Sequence, residues 1–113
     1  MTYEEAIQLC SQSENGSTLI TIHSKEEQEF VAKYIFETRK IVENVWLGLK
    51  NSNNKFEWID KTSVDFTNWA NGSPLNKSDH KCVEMISEFS PIGKWVDIQC
   101  TKKNIVVVKD SPY

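Results

Sequence analysis

The chain has 113 residues, 39% of them apolar and 26% charged, with a formal net charge of -3. That is one domain of ordinary globular composition, and its mild acidity gives no electrostatic basis for nucleic acid or an anionic membrane as partner. No apolar run approaches the roughly 20 residues of a membrane span, so membrane insertion is not expected.

Met1 leads into Thr2-Tyr3-Glu4-Glu5 without a leader peptide. Thr2 and Glu5 have the spacing of a capping box that opens a first helix with Ala6, Leu9 and Cys10 on one side, and Tyr3, Ala6 (or Ile7) and Cys10 recur as its core-facing stripe. Ser13-Glu14-Asn15-Gly16-Ser17 ends that helix, and Thr18–Ile22 is a short strand or extended link. A second capping box, Ser24 to Glu27, starts a helix that carries Phe30, Val31, Tyr34 and Ile35 and fades near Lys40. Val45-Trp46-Leu47-Gly48-Leu49 is a continuous apolar run between polar turn residues, which reads as a strand buried on both faces. Gly48 inside it marks a bulge or a close approach by another backbone.

Asn51–Asn54 is a turn and Lys55–Ile59 a returning strand. Residues 60–81 hold little regular structure. Loops of that length are uncommon in a compact domain unless functional or disordered, and Phe66, Trp69 and Leu75 within it imply packing. Further strands are expected at Cys82–Ile86, Lys94–Cys100 and Asn104–Val108. A helical half followed by a loop-rich β half makes the fold α+β, with residues 1–113 forming a single domain.

Three cysteines permit at most one internal disulfide and leave one thiol over, and their spacing excludes paired CxxC zinc and redox patterns. Sequons stand at Asn15, Asn71 and Asn76. Together with a disulfide they point to a secreted glycoprotein whose leader is not part of this chain. His23, His80 and Cys10 lack metal-ligand spacing. There is no acid–base pair at recognisable spacing, no phosphate-cradling glycine loop and no nucleophile elbow, so an enzyme is not expected.

The landmarks as a set resemble a C-type lectin-like domain. The residues that carry the resemblance are Thr2-Tyr3-Glu4-Glu5-Ala6 with Cys10, then Ile22 to Gln28, then Trp46-Leu47-Gly48-Leu49. They continue with Phe56-Glu57-Trp58, Asn68-Trp69, Cys82-Val83-Glu84-Met85, and Lys94-Trp95 through Cys100. The resemblance implies two helices on small antiparallel sheets with a long loop region. It also implies a Cys82–Cys100 disulfide, core positions for Trp46, Trp58 and Trp95, and a cis peptide before Pro74. By the resemblance, the family's first strand is not expected before Met1, and the position of its last cysteine is taken by Val108 or Lys109. Cys10 is then a free thiol, and an exposed edge is expected along Ile105–Val108, open to pairing with another chain.

The family's sugar site is a calcium ion held by side-chain oxygens, six to eight in all. The positions that supply them are here Ser73-Pro74-Leu75, His80 and Trp95-Val96-Asp97, so only Asp97 is in register. Asn76 and Asp79 lie one residue from ligand positions and complete the candidate calcium set, while Pro74 and Glu84 join those three in the candidate ligand-binding set. The expected function is non-enzymatic recognition of a ligand, carbohydrate by resemblance but without the usual calcium-dependent sugar site. The alternatives are a calcium-independent protein-binding module using Phe66, Leu75 and Phe89, or a subunit of a homo- or hetero-oligomer joined through Cys10 or the edge strand.

Overall fold

The computed structural model describes residues 1–12, 18–88 and 92–109. In chain order it contains α1 (Tyr3–Ser11), β1 (Thr18–Leu19), α2 (Lys25–Ala32) continued by a π-helical segment (Lys33–Thr38), β2 (Val45–Ser52), β3 (Lys55–Trp58), β4 (Cys82–Met85), β5 (Trp95–Ile98) and β6 (Val108–Lys109). β2 to β5 form one antiparallel sheet in the order β3-β2-β4-β5, and β1 pairs with β6 in a separate two-stranded sheet. The order of elements is the expected one. The strand boundaries shift by a few residues, as backbone pairing rather than apolar content decides them. The expected last strand at Asn104–Val108 becomes a bridge from Ile105 to Val45 followed by the short β6.

The capping box of α1 forms in both directions: Glu5 N–H donates to Thr2 Oγ1 and Thr2 N–H to Glu5 Oε1. At the second helix Ser24 Oγ accepts from Glu27 N–H, while Glu27 Oε1 takes the N–H of His23, one residue outside the cap. β2 and β3 meet through Asn53 and Asn54, both at positive φ (54° and 66°), as a tight two-residue hairpin requires. That turn lets Asn51 and Ser52 pair with Phe56 and Lys55, so β2 runs three residues beyond Leu49.

The sheet is covered on both faces, which explains why every residue from Val45 to Leu49 is buried. On one face Trp46 and Cys82 pack with Leu19 and with Tyr3, Ala6 and Cys10 of α1, whereas Leu9, expected on the same side as Ala6 and Cys10, is exposed. The Trp46 indole N–H reaches Met1 O, and its ring meets Tyr3 edge to face at 5.5 Å. On the other face Val45, Leu47, Leu49, Trp58, Val83, Met85 and Trp95 pack with Ile20, Ile22 and Ile35.

The second helix turns a different side to this core than its apolar residues suggest. Gln28, Ala32 and Ile35 are buried, whereas Tyr34 is exposed and Phe30 is 71% exposed. The inward side is held by Gln28, whose Nε2 donates to Gly93 O and whose Oε1 accepts the Trp95 indole N–H. With both ends bonded, the buried amide meets the requirement that a polar group removed from water be hydrogen-bonded. The disulfide joins Cys82 to Cys100 across 18 residues. In the chain-entropy account such a closure contributes about 3 kcal/mol.

Gly48 serves both roles that its place in the strand suggested. The pairing of β2 with β4 shifts register between Trp46 and Lys50. Its N–H donates to Ile20 O, its carbonyl accepts from Ile59 N–H, and a Cβ would lie 2.7 Å from Ile59 Cγ2. Gly48→Ala should therefore cost about 1–3 kcal/mol by overpacking, read as a lowered urea midpoint with an unchanged slope. An unchanged midpoint would mean that Ile59 moves aside freely.

Candidate functional site

The long loop between β3 and β4 is fastened to one face of β5. Side chains alternate along a strand, so Trp95 and Asp97 share a face, and both are fully buried. Around the Trp95 ring stand Trp58 at 5.7 Å, Phe66 at 6.0 Å and Trp69 at 5.8 Å, all edge to face. The loop backbone joins as well: Trp95 N–H donates to Asn68 O, and Ala70 N–H to Trp95 O. Asn68 extends the connection, its Nδ2 donating to Gly93 O and its Oδ1 accepting from Lys94 Nζ. Trp69 is half-buried and also lies 5.0 Å from Phe56.

Further along the loop the Ser73–Pro74 peptide is cis, as the resemblance implies. Directly after it the two oxygens of Asp97 accept the N–H groups of Leu75 and Asn76, each at 2.8 Å. Pro74, Leu75, Asn76 and Asp97 are thus brought together. Asp79 is exposed, and its Oδ2 accepts from the Gln99 amide, which holds its carboxyl below the ordinary value. His80, whose side chain is mostly buried, lies with Nε2 3.7 Å from Asp79 Oδ1.

Glu84 stands apart from this group. It pairs with Val96 across the β4–β5 ladder, so its side chain leaves the sheet on the face opposite to that of Asp97. There it is buried and accepts from Lys102 Nζ at 2.7 Å and Asn104 Nδ2 at 3.1 Å. Among the described residues no three His, Cys, Asp or Glu side chains gather closely enough to hold a metal ion.

Of the apolar residues assigned to a protein-binding surface, Phe66 is turned inward against Trp95 and Leu75 is 51% exposed. Phe89 lies outside the described residues, as does the sequon at Asn15. The sequon residues Asn71 and Asn76 are exposed on the loop.

The structure also assembles groups that sequence spacing did not join. His23 Nδ1 lies 2.8 Å from Asp65 Oδ1, and its Nε2 3.0 Å from Thr62 Oγ1, which ties the start of the long loop to the cap of α2. The hydrogen bond to His23 holds the Asp65 carboxyl below its ordinary value. Residues 42 and 39 positions apart in sequence offer no local signal for this contact. On the far side of α2, Phe30 and Tyr34 stack over a groove of about 340 Å³ that Ile20, Val107 and Val108 complete.

Comparison with known proteins agrees with this architecture. A family model described as Lectin C-type domain matches residues 1–109. Lectoxin-Lio1, a C-type lectin of Erythrolamprus poecilogyrus, is 34% identical over 113 residues, covering 97% of this chain and 68% of that protein. Among solved structures, the cow CD23 carbohydrate-recognition domain in the presence of an oligosaccharide superimposes with a TM-score of 0.77. It is 29% identical and covers 96% of this chain and 78% of its own. A calcium-independent type II antifreeze protein superimposes with a TM-score of 0.78 at 25% identity, covering 97% and 79%.

The fold and its loop define a non-enzymatic binding domain. The chain belongs to the C-type lectin domain family. Among the described residues no helix is long and apolar enough to cross a membrane.

Cys10, proposed from the sequence as a link to a partner chain, is buried against Tyr3, Ala6 and Trp46, and burial raises its thiol pKa. The same burial pushes the Tyr3 hydroxyl up to about 12. Along the expected open edge, Ile105 is bridged to Val45, Val108 pairs with Leu19, and Asn104 exchanges hydrogen bonds with Met1. The reactive form of a thiol is the thiolate. Cys10 should therefore react with Ellman's reagent at pH 8 at least tenfold more slowly in native protein than in denaturant. Equal rates would place the thiol at the surface.

Proposed function

We propose that this domain recognises its ligand through the long loop, residues 60–81 with β5 behind them, and does so without calcium in the sugar site. The observation that carries the proposal is the disposition of Asp97. Both oxygens of the one acid in register with the family's ligand positions accept backbone N–H groups of the loop itself. Calcium asks for six to eight oxygens. The remaining candidates are Asn76 and Asp79, the latter turned toward Gln99, while Glu84 lies on the other face of the sheet with Lys102. This donor set does not fit the ion.

Carbohydrate is the ligand class that the family supplies, and the oligosaccharide solved with the cow domain supports it. Leu75 favours a protein surface as the second reading. It stands at a position where the family's sugar site has a polar side chain, and it is half exposed. The fold likeness to a calcium-independent protein supports recognition without the ion in either case. Export from the cell fits the disulfide and the exposed sequon residues Asn71 and Asn76.

A ligand that binds only the native state raises its stability by mass action, by about 2.7 kcal/mol at a hundredfold excess over Kd. The thermal midpoint should therefore be the same in millimolar calcium and in chelator, and any glycan-array signal should survive chelator. A rise of several degrees with calcium would overturn the calcium-free reading. A blank array in both conditions, with capture by a protein ligand, would favour the second ligand class.

A further inference from the structure

Resting on the calcium-free reading above, we propose that Asp97 is the positioning residue of the ligand-binding loop. Its carboxylate holds the backbone at Leu75–Asn76 and so decides which loop atoms a ligand meets. A carboxylate that is fully removed from water needs compensating hydrogen bonds. Asp97 receives two, and they come from consecutive residues of a segment 21 and 22 positions away in sequence.

Consecutive N–H groups converge on one anion where the backbone changes hand between neighbouring residues, a turn that makes a concavity for an anion. Asn76 at φ 58° is the left-handed residue here, and asparagine tolerates that conformation better than most side chains. The concavity is thus filled from within the chain, by the acid of β5. Bonds from N–H to an ionised carboxylate are roughly twice as strong as neutral ones. Two of them at 2.8 Å give the loop a fixed point of attachment without any ion.

The consequence for recognition is specific. The N–H groups of Leu75 and Asn76 face inward and are taken, so they are not donors for a ligand. The Leu75 side chain and the exposed Asn76 face outward. A cation that used the Asp97 oxygens in the ordinary way would compete with both N–H groups and loosen the segment that it is expected to order.

The test is amide spectroscopy on uniformly labelled protein. In the wild type, the Leu75 and Asn76 amide protons should exchange at least tenfold more slowly than unprotected amides of the same sequence. Their hydrogen exchange should be at least tenfold slower than in Asp97→Asn, which keeps the shape but turns one acceptor into a donor. Amides of the buried β2, Leu47 for example, should exchange alike in both proteins. Unprotected exchange at both amides in the wild type would overturn the clamp whether or not the variant folds, and so would equal exchange at Leu75 and Asn76 in a folded variant. Calcium added to the same wild-type sample separates the two proposals. Shifts at Leu75, Asn76 and Asp97 would overturn both, whereas no calcium response with unprotected Leu75 and Asn76 amides would overturn the clamp alone.

Discussion

The long loop exists as a defined surface because one face of β5 grips it at two points. Trp95 supplies an apolar socket into which Phe66 and Trp69 set their rings, and Asp97 takes two backbone N–H groups further along. The two grips differ in kind. Aromatic burial is strong and tolerant of small displacement, while a carboxylate that bonds two N–H groups at 2.8 Å fixes position closely. Without them, residues 60–81 would carry the entropy of a long irregular segment with little to offset it.

Trp95 also ties the loop to the helical half. Its indole N–H donates to Gln28, and the same amide donates to the carbonyl of Gly93. Gly93 has φ 89°, and a Cβ there would stand 2.7 Å from Ala32 Cβ and from Gln28 Nε2. Helix, strand and loop therefore converge on one buried amide. The exposure of Phe30 and Tyr34 follows from that choice of inward side, and it leaves an aromatic pair on the surface beside β6.

Pairing register separates the acids. Glu84 lies in the central strand β4 and Asp97 in the edge strand β5 of one sheet, and both are buried, yet the register Glu84 to Val96 sends them to opposite faces. Lys102 and Asn104 compensate the buried carboxylate of Glu84, and Asp97 serves the loop. Two carboxylates that look alike in a list of oxygen donors belong to different physical problems.

Much of the fold was legible from local patterns. The caps of both helices, the doubly buried strand at Val45, a turn within Asn51–Asn54 and the special status of Gly48 all rest on neighbouring residues or on fixed spacings. The Cys82–Cys100 bridge and the cis peptide at Pro74 were legible only through likeness to a family. Contacts set by pairing between distant segments were not legible: His23 with Asp65, Gln28 with Trp95, and Asp97 with Leu75 and Asn76. Sequence determined which elements form and which residues must leave water, because propensity and burial are local and periodic properties. Tertiary structure alone decided which polar groups meet, because strand register and the inward side of α2 fix those pairings, and a single residue of slip would redistribute them all.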